Sequence, residues 1–176
     1  GVYVDDSAIL VHERLAIVDP AGGSQPLRSA DGELALAVNG EIYNHRELKK
    51  ELTQPYDFLT GSDCEVINAL YREDQPASFL NRLNGIFAFA LWDKATGRAL
   101  IARDPMGVCP LYWGHDREGR LCVASEMKAI SGLCADVAQF PPGHYYDSVT
   151  GELTQYYRKP WREYDATKDI EVSKQE

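Results

Sequence analysis

The chain has 176 residues, of which 44% are hydrophobic and 26% charged, and its formal net charge is -9 at pH 7. These values are typical of one soluble globular domain, and the acidic balance excludes nucleic acid as a partner because phosphates require a basic face. No apolar run approaches the roughly 18 residues of a membrane span, and the first residues lack the pattern of a targeting segment. We therefore expect a cytoplasmic protein with no membrane partner.

Cysteine usage points to a reducing compartment. The four cysteines form no C-x-x-C pair and are too sparse for the disulfide framework of a small secreted domain: Cys64, Cys109, Cys122 and Cys134. None has a histidine at a spacing that indicates a nucleophile, and the same argument excludes a metal site. We interpret all four as small hydrophobic residues.

The first third of the chain is strand-like and then rich in turns. Residues 7–19 hold two apolar clusters on either side of a charged triplet at 12–14. The second cluster alternates, with Leu15 and Ile17 on one side, which predicts a half-buried strand. A charge between strands is usually solvated, so these residues alone favour an ordinary surface role for Arg14. Residues 20–33 are dense in Gly, Pro, Ser and Asp and predict turns.

Asn39 and Gly40 stand between two short apolar runs. An Asn-Gly pair in this setting is typical of a type I′ hairpin turn, because both residues tolerate positive φ. The same pair at a loop tip also brings a side-chain amide next to an unhindered backbone N–H, which are the two donors of an oxyanion hole. Both interpretations stay open at this point.

Helical patterns follow this pair. The first helix begins at Asn44, with Glu47 placed as in a capping box. The second begins in the S-x-x-E motif at 62–65, which places Asp63 in a first turn, where the helix dipole favours a carboxylate. The third spans 76–83, with proline at its start.

From residue 86 the hydrophobic period changes to two, and three β-hairpins are predicted. Their turns lie at 94–97, 116–119 and 149–151, and a short helix is predicted at 127–133. Repeated hairpins with clustered helices predict an α+β fold of stacked antiparallel sheets covered by helices. Residues 161–176 are charged and weakly periodic, as in a linker or tail.

Seven ordered blocks resemble one family: HERLAIVD (12–19), QPL (25–27), NGEIYNHREL (39–48), GSDCEV (61–66), GIFAFALWD (85–93), RDPMGVCPLY (103–112) and ASEMKAI (124–130). Together they resemble the class II, N-terminal-nucleophile glutamine amidotransferase domain, and most of all the glutaminase half of the glutamine-hydrolysing asparagine synthetases. The resemblance implies a four-layer αββα sandwich. It further implies an amidotransferase domain at 1–160 and a linker at 161–176 leading toward a synthetase domain.

The resemblance also implies roles for individual residues. Asn39 and Gly40 match the oxyanion hole, Arg14 matches the residue that holds the α-carboxylate of glutamine, and Asp63 matches the partner of the α-ammonium. Four further positions are placed at the pocket: Leu15, Ile17, Val18 and Glu41. ATP and Mg²⁺ are implied for the synthetase domain alone, with no cofactor and no metal in this domain. The expected partners are glutamine, that synthetase domain and a second copy in a homodimer.

One departure from the family concerns the nucleophile. The family uses a cysteine at the extreme N-terminus, and none of the four cysteines of this chain stands at a matching position. We therefore expect a sequence that is N-terminally truncated relative to the family domain and inactive on glutamine as it stands. The alternative is a non-catalytic domain that senses glutamine or binds a partner.

Overall fold

The computed structural model describes residues 1–14, 18–19 and 22–162. Within these ranges the strands are β1 (Val2–Val4), β2 (Ile9–Val11), β3 (Leu27–Arg28), β4 (Leu34–Ile42), β5 (Gly85–Asp93), β6 (Arg98–Arg103), β7 (Tyr112–Asp116), β8 (Leu121–Ala124), β9 (Cys134–Gln139), β10 (His144–Asp147) and β11 (Glu152–Gln155). The helices are α1 (His45–Glu51), α2 (Val66–Glu73) and α3 (Pro76–Arg82), with 3-10 turns at Asp63–Glu65, Met127–Ala129 and Pro160–Arg162.

The strands form three antiparallel sheets. The largest has six strands in the order β11-β10-β6-β5-β4-β3, the second has the order β8-β7-β9, and β1 pairs with β2. The three predicted hairpins are confirmed as β5–β6, β7–β8 and β10–β11. The helix at 76–83 is confirmed as α3, which begins at a proline, as a first helical turn allows.

Side chains of the central sheet alternate between two cores, as the pleat of a strand requires. In β5, Phe87 and Phe89 pack with the buried faces of the three α-helices. Ala88 points the other way, into a second core with Phe140 and with Trp113 of the three-stranded sheet. The described residues are therefore layered as helices, six-stranded sheet and three-stranded sheet. The predicted α+β architecture of stacked antiparallel sheets is confirmed.

The β1–β2 hairpin is fastened to the first half of β4. Its inner residues Tyr3 and Leu10 are buried in a third cluster with Ala35. The carboxylate of Asp5 accepts hydrogen bonds from the Tyr3 hydroxyl at 2.6 Å and from Trp92 Nε1 at 2.7 Å. With the hairpin held in this place, the residues that follow β2, His12 and Glu13, reach the same cavity lining as Asn39 and Gly40 of β4.

The hairpin interpretation of Asn39 and Gly40 is wrong. Strand β4 runs without interruption through both residues and pairs with β5 along its full length, from Leu34 opposite Asp93 to Ile42 opposite Gly85. The turn interpretation fails because a partner strand more than forty residues later supplies the pairing along this segment. The two residues therefore lie within a strand and not at a loop tip.

Both predicted capping boxes are also wrong. The Asn44 side chain donates to the Arg82 carbonyl and accepts from the Asn84 N–H, each at 2.9 Å, so it joins α1 to the end of α3. Glu65 accepts hydrogen bonds from Leu59 and Thr60 in the preceding loop. In both motifs, partners outside the helix outcompete the local cap.

The helix predicted at 127–133 shrinks to the 3-10 turn Met127–Ala129, and the unpredicted strand β9 follows it. The strand predicted around Leu15 and Ile17, and residues 163–176 of the predicted linker, lie outside the described residues. None of the described helices has the length and apolar character needed to cross a membrane.

Candidate functional site

A cavity of about 500 Å³ opens beside the second half of β4. Its size is that of an ordinary small-molecule site. One wall is polar and is formed by His12, Glu13, Gln25, Asn39, Gly40 and Glu41. The remaining lining residues are mainly apolar and include Ile86, Ala88, Phe89, Cys109, Leu111 and Val123, of which Ile86 and Ala88 lie beside Glu41 and Asn39 in the sheet. The cavity therefore combines hydrogen-bonding groups with apolar surface.

The edge of β4 that faces away from β5 is the polar part of this wall. On that edge, Val38 exchanges two hydrogen bonds with the Gln25 side chain, both at 2.8 Å. Four residues later, Ile42 donates its N–H to the Asp63 carboxylate at 2.6 Å. Backbone groups of an antiparallel strand alternate between its two edges with a period of two residues. The N–H of Gly40, midway between Val38 and Ile42, therefore points to the same edge.

Residue 40 accepts no side chain. Gly40 has a φ of 144°, and a Cβ atom there would lie 2.0 Å from the Ile86 carbonyl oxygen and 2.7 Å from the Phe87 Cα. This close approach to β5 requires glycine. Asn39 precedes it directly, is exposed, and lines the cavity. A side-chain amide and a backbone N–H thus stand next to each other at the cavity wall.

Asp63 lies behind the end of β4, in the 3-10 turn. The side chain is buried, and its carboxylate holds the Ile42 N–H. The neighbouring Cys64 Sγ lies 3.6 Å from both the Gly40 carbonyl oxygen and Asp63 Oδ2. The turn that carries Asp63 is therefore attached to the strand at Gly40 and at Ile42.

Arg14 lies close to the loop that precedes Asp63. Its Nη2 donates to the carbonyl oxygens of Val18 at 2.7 Å and Asp19 at 2.6 Å. A Cβ atom on Gly23 would lie 3.0 Å from Arg14 Nη2 and 3.2 Å from the Cβ of Ser62. The guanidinium of Arg14 and Ser62, the residue before Asp63, therefore both lie close to Gly23.

The structure brings the predicted residues into two groups. Asn39, Gly40 and Glu41 line the cavity. Arg14 lies instead beside Gly23, whose other neighbour, Ser62, directly precedes Asp63 in the chain. Val18 is half-buried and accepts the hydrogen bond from Arg14, while Leu15 and Ile17 lie outside the described residues.

Asp19, which the sequence did not single out, has a φ of 51° and joins two loops. Its carboxylate accepts hydrogen bonds from Gly61 at 2.8 Å and Gly22 at 3.0 Å. These bonds, that from Gly61 foremost, hold the pKa of Asp19 below its usual range. Asp19 thus ties the loop of Arg14 to the loop before Asp63. In the sequence it resembles any carboxylate at the start of a turn.

The thiols near the cavity do not have the character of nucleophiles. Burial, with a further contribution from Asp104, raises the pKa of Cys109 to about 11, and burial likewise raises the pKa of Cys64. Because the thiolate is the reactive form, neither thiol is activated at neutral pH. All four cysteines are free, and Cys122 differs from the other three in being only half-buried. No cluster of three or more metal-binding side chains occurs in the part of the chain that the structure describes.

The wall that carries Cys109 is built by two buried charged residues. Arg103 donates to the carbonyl oxygens of Cys109 and Phe140, each at 2.7 Å. The Asp104 carboxylate accepts hydrogen bonds from backbone N–H groups, including those of Met106 and Gly107. Both charged side chains are therefore used to hold backbone groups, chiefly of the loop that follows β6. The polar groups of the cavity come mainly from β4 and the segments beside it.

Comparisons with known proteins identify the family. The family model described as a glutamine amidotransferase domain matches residues 1–141. The asparagine synthetase B (glutamine-hydrolysing) of Escherichia coli strain K12 is 52% identical over 176 residues, which is 100% of this chain and 32% of that protein. An asparagine synthetase of Zea mays is 47% identical over 161 residues, covering 92% of this chain and 27% of that protein.

A solved structure gives the same assignment. Glutamine phosphoribosylpyrophosphate amidotransferase from B. subtilis superimposes with a TM-score of 0.62 at 27% identity, covering 77% of this chain and 32% of that one. The chain spans less than a third of the length of these relatives. The predicted family is confirmed: the chain belongs to the glutamine amidotransferase domain family.

Proposed function

We propose that this chain is the glutaminase part of a glutamine-hydrolysing asparagine synthetase, which releases ammonia from the side-chain amide of glutamine. The observation that carries the proposal is the edge of β4 at the cavity, where the Gly40 N–H and the Asn39 side chain stand side by side. Two donors in this arrangement complement the negative oxygen of a tetrahedral intermediate. The relatives named as glutamine-hydrolysing asparagine synthetases support the choice of substrate.

The proposal assigns the charged ends of glutamine to Arg14 and Asp63. A zwitterion requires one cation and one anion, and a guanidinium fork suits a carboxylate. The hydrogen bonds from Arg14 to two carbonyl oxygens set the orientation of its guanidinium. The buried Asp63 carboxylate is held by Ile42, so that it meets an ammonium without reorganising. The resemblance to the family further assigns Leu15, Ile17 and Val18 to the glutamine pocket.

In the proposed reaction, a cysteine at the start of the polypeptide supplies the thiolate. It attacks the amide carbon of glutamine, with the α-amino group of the same cysteine as the base. Asn39 and Gly40 hold the oxyanion. The α-amino group, which took the thiol proton, gives it to the amide nitrogen, the C–N bond breaks, and ammonia leaves as the thioester forms. Glu41, half-buried at the cavity wall, would accept a hydrogen bond from the departing nitrogen. Water then hydrolyses the thioester to glutamate.

The ammonia would be consumed by a synthetase domain that uses ATP and Mg²⁺ to amidate aspartate. The support is the name of the relatives and the fact that the chain spans less than a third of their length. Both cofactors would bind that domain, which would be the principal partner of this chain. A domain boundary near residue 160, a cytoplasmic location and a homodimer stay predictions.

The test is glutamate release from glutamine by two proteins. One is the chain of 176 residues, and the other carries an upstream family segment that begins with cysteine. We expect release by the longer protein alone, and its loss when the leading cysteine is replaced by alanine. A longer protein that is folded but releases no glutamate would contradict the proposal. Glutamine binding by that silent protein would instead support the non-catalytic sensor.

A further inference from the structure

Gln25 occupies the place of a strand residue beside β4. Its Nε2 donates to the Val38 carbonyl oxygen, and the Val38 N–H donates to its Oε1, both at 2.8 Å. This double exchange is the pattern of a hydrogen-bonded pair in an antiparallel ladder. The backbone of β3 pairs with β4 at Leu27 opposite Leu36 and at Arg28 opposite Ala35. The same register places residue 25 opposite Val38, so the side chain of Gln25 continues the ladder in place of its backbone.

This contact ends one residue before the predicted oxyanion hole. Beyond Val38, this edge of β4 faces the cavity and has no strand paired with it among the described residues. Gln25 itself lines that cavity. The next contacts on this edge are Cys64 Sγ, which lies 3.6 Å from the Gly40 carbonyl oxygen, and the hydrogen bond from Ile42 to Asp63. On this edge the Gly40 N–H therefore lies between the contact of Gln25 with Val38 on one side and the turn that carries Cys64 and Asp63 on the other.

We infer that Gln25 is a positioning residue of the oxyanion hole, whose side-chain amide holds β4 so that the Gly40 N–H and the Asn39 amide point into the cavity. The inference rests on the proposed function. Gln25 acts through Val38 and donates nothing to the substrate. Because an oxyanion exists only on the reaction path, loss of this contact lowers kcat and leaves KM nearly unchanged.

The test uses the longer protein that begins with cysteine, once its glutamine hydrolysis is established. Gln25→Met keeps the length of the side chain and removes both hydrogen bonds. We expect kcat to fall by at least about tenfold, but by less than it falls when an oxyanion-hole donor is removed outright. KM should change by less than about threefold. A matched control is Gln155→Met, because the exposed Gln155 also donates to a backbone carbonyl, that of Tyr157 at 3.1 Å, on the far edge strand of the sheet. Its kcat should equal that of the wild type.

A second variant gives a pH profile that a purely structural role would not produce. In Gln25→Glu, a carboxylate faces the Val38 carbonyl oxygen at neutral pH, but a protonated carboxyl group restores both the donor and the acceptor. We expect the ratio of variant to wild-type kcat to rise as the pH falls from about 8 toward about 5, because glutamate gains its proton near pH 4.3.

Three outcomes separate the possibilities. A wild-type kcat in Gln25→Met, or a raised KM with unchanged kcat, would overturn the inference and leave the proposed function intact. If Gln25→Met does not fold, a kcat ratio for Gln25→Glu that stays constant with pH would overturn it equally. If the longer wild-type protein releases no glutamate, the proposed function itself is overturned, and this outcome is distinct from failure of the inference about Gln25.

Discussion

The carboxylate of Asp63 accepts the backbone N–H of Ile42 at 2.6 Å, and both residues are buried. One side chain therefore fixes the end of β4 and, in the proposed function, also faces the ammonium of glutamine. The two roles depend on different properties. The contact with Ile42 needs an acceptor oxygen, whereas the contact with an ammonium needs the negative charge, so substitutions can separate them.

Asp63→Asn keeps an acceptor for Ile42 and removes the charge. We expect a nearly unchanged free energy of unfolding and a KM for glutamine raised by roughly 10- to 100-fold, because a hydrogen bond between charged groups is lost. Asp63→Ala also leaves the buried Ile42 N–H without a partner, which lowers the free energy of unfolding by about 1–3 kcal/mol. Urea unfolding and glutamate release measure the two effects, with the exposed Asp57→Ala as control. An unchanged KM in Asp63→Asn would contradict this assignment.

Gly40→Ala is expected to be far more damaging than an alanine at an open glycine with positive φ. At residue 40 a Cβ atom meets the β5 backbone at 2.0 Å, and strands β4 and β5 must separate to admit it. Gly97 has a φ of 67° and nothing within 4 Å of a Cβ atom. We expect Gly97→Ala to lower the free energy of unfolding by about 1 kcal/mol and Gly40→Ala by more than about 3 kcal/mol. Equal midpoints of urea unfolding in the two variants would show that the contact between a Cβ atom at residue 40 and the β5 backbone is relieved at little cost in free energy.

Asp19→Ala removes the carboxylate that joins Gly61 to Gly22. The loops that carry Arg14 and Asp63 then lose their common attachment, so we expect a KM for glutamine raised about tenfold and a kcat changed much less. This split is the opposite of that expected for Gln25. Steady-state kinetics of glutamate release in the active longer protein test it, with Asp6→Ala on the exposed loop after β1 as control. A KM equal to that of the control would refute a positioning role for Asp19.

Stability is expected to fall in acid because of Asp147. Burial acts to raise the pKa of this carboxyl, but hydrogen bonds from Arg98 and Val149 outweigh it and leave the pKa below its usual range. A carboxyl with a lowered folded-state pKa stabilises the fold above the unfolded-state pKa of about 4 and loses that contribution as the pH falls further. Arg98 meets Asp147 in a two-point contact at 2.6 and 3.1 Å between β6 and β10.

The corresponding measurement is urea unfolding between about pH 7 and about pH 3. Asp147→Asn should be less stable than the wild type at pH 7, and the difference between them should shrink toward pH 3. The exposed Asp57→Asn should follow the wild-type curve at every pH. A constant difference between Asp147→Asn and the wild type would show that the charge of Asp147 contributes nothing to the pH dependence.

The features that could be predicted from the sequence are mostly local. The hairpins β5–β6 and β10–β11 are specified by short turns between runs of period two, and nothing distant competes with them. Asn39 and Gly40 are different because their strand partner, β5, lies far along the chain. Asn44 fails as a helix cap for the same reason, since its amide bonds to Arg82 and Asn84. Local rules fail where a long-range partner offers a better hydrogen bond.

The site is predictable to the extent that its residue types carry chemistry. Asn39 beside Gly40 can be singled out from residue types alone as a pair of donors. Arg14 and Asp63 have ordinary structural interpretations on that basis, and the resemblance to the family is what names them as site residues. Gln25 and Asp19 cannot be singled out from the sequence, because each bonds to backbone groups of a different segment. A side chain that replaces a strand or bridges two loops has no sequence signature of its own.

The most direct test of the proposed oxyanion hole is kcat for glutamine hydrolysis by Asn39→Ala in the longer protein that begins with cysteine. Asn39 is exposed at the cavity wall, so its truncation should leave the unfolding midpoint unchanged. We predict that kcat falls by about 10²- to 10³-fold, the usual cost of losing one oxyanion donor. A variant that folds and retains the wild-type kcat would show that the edge of β4 is not the oxyanion hole.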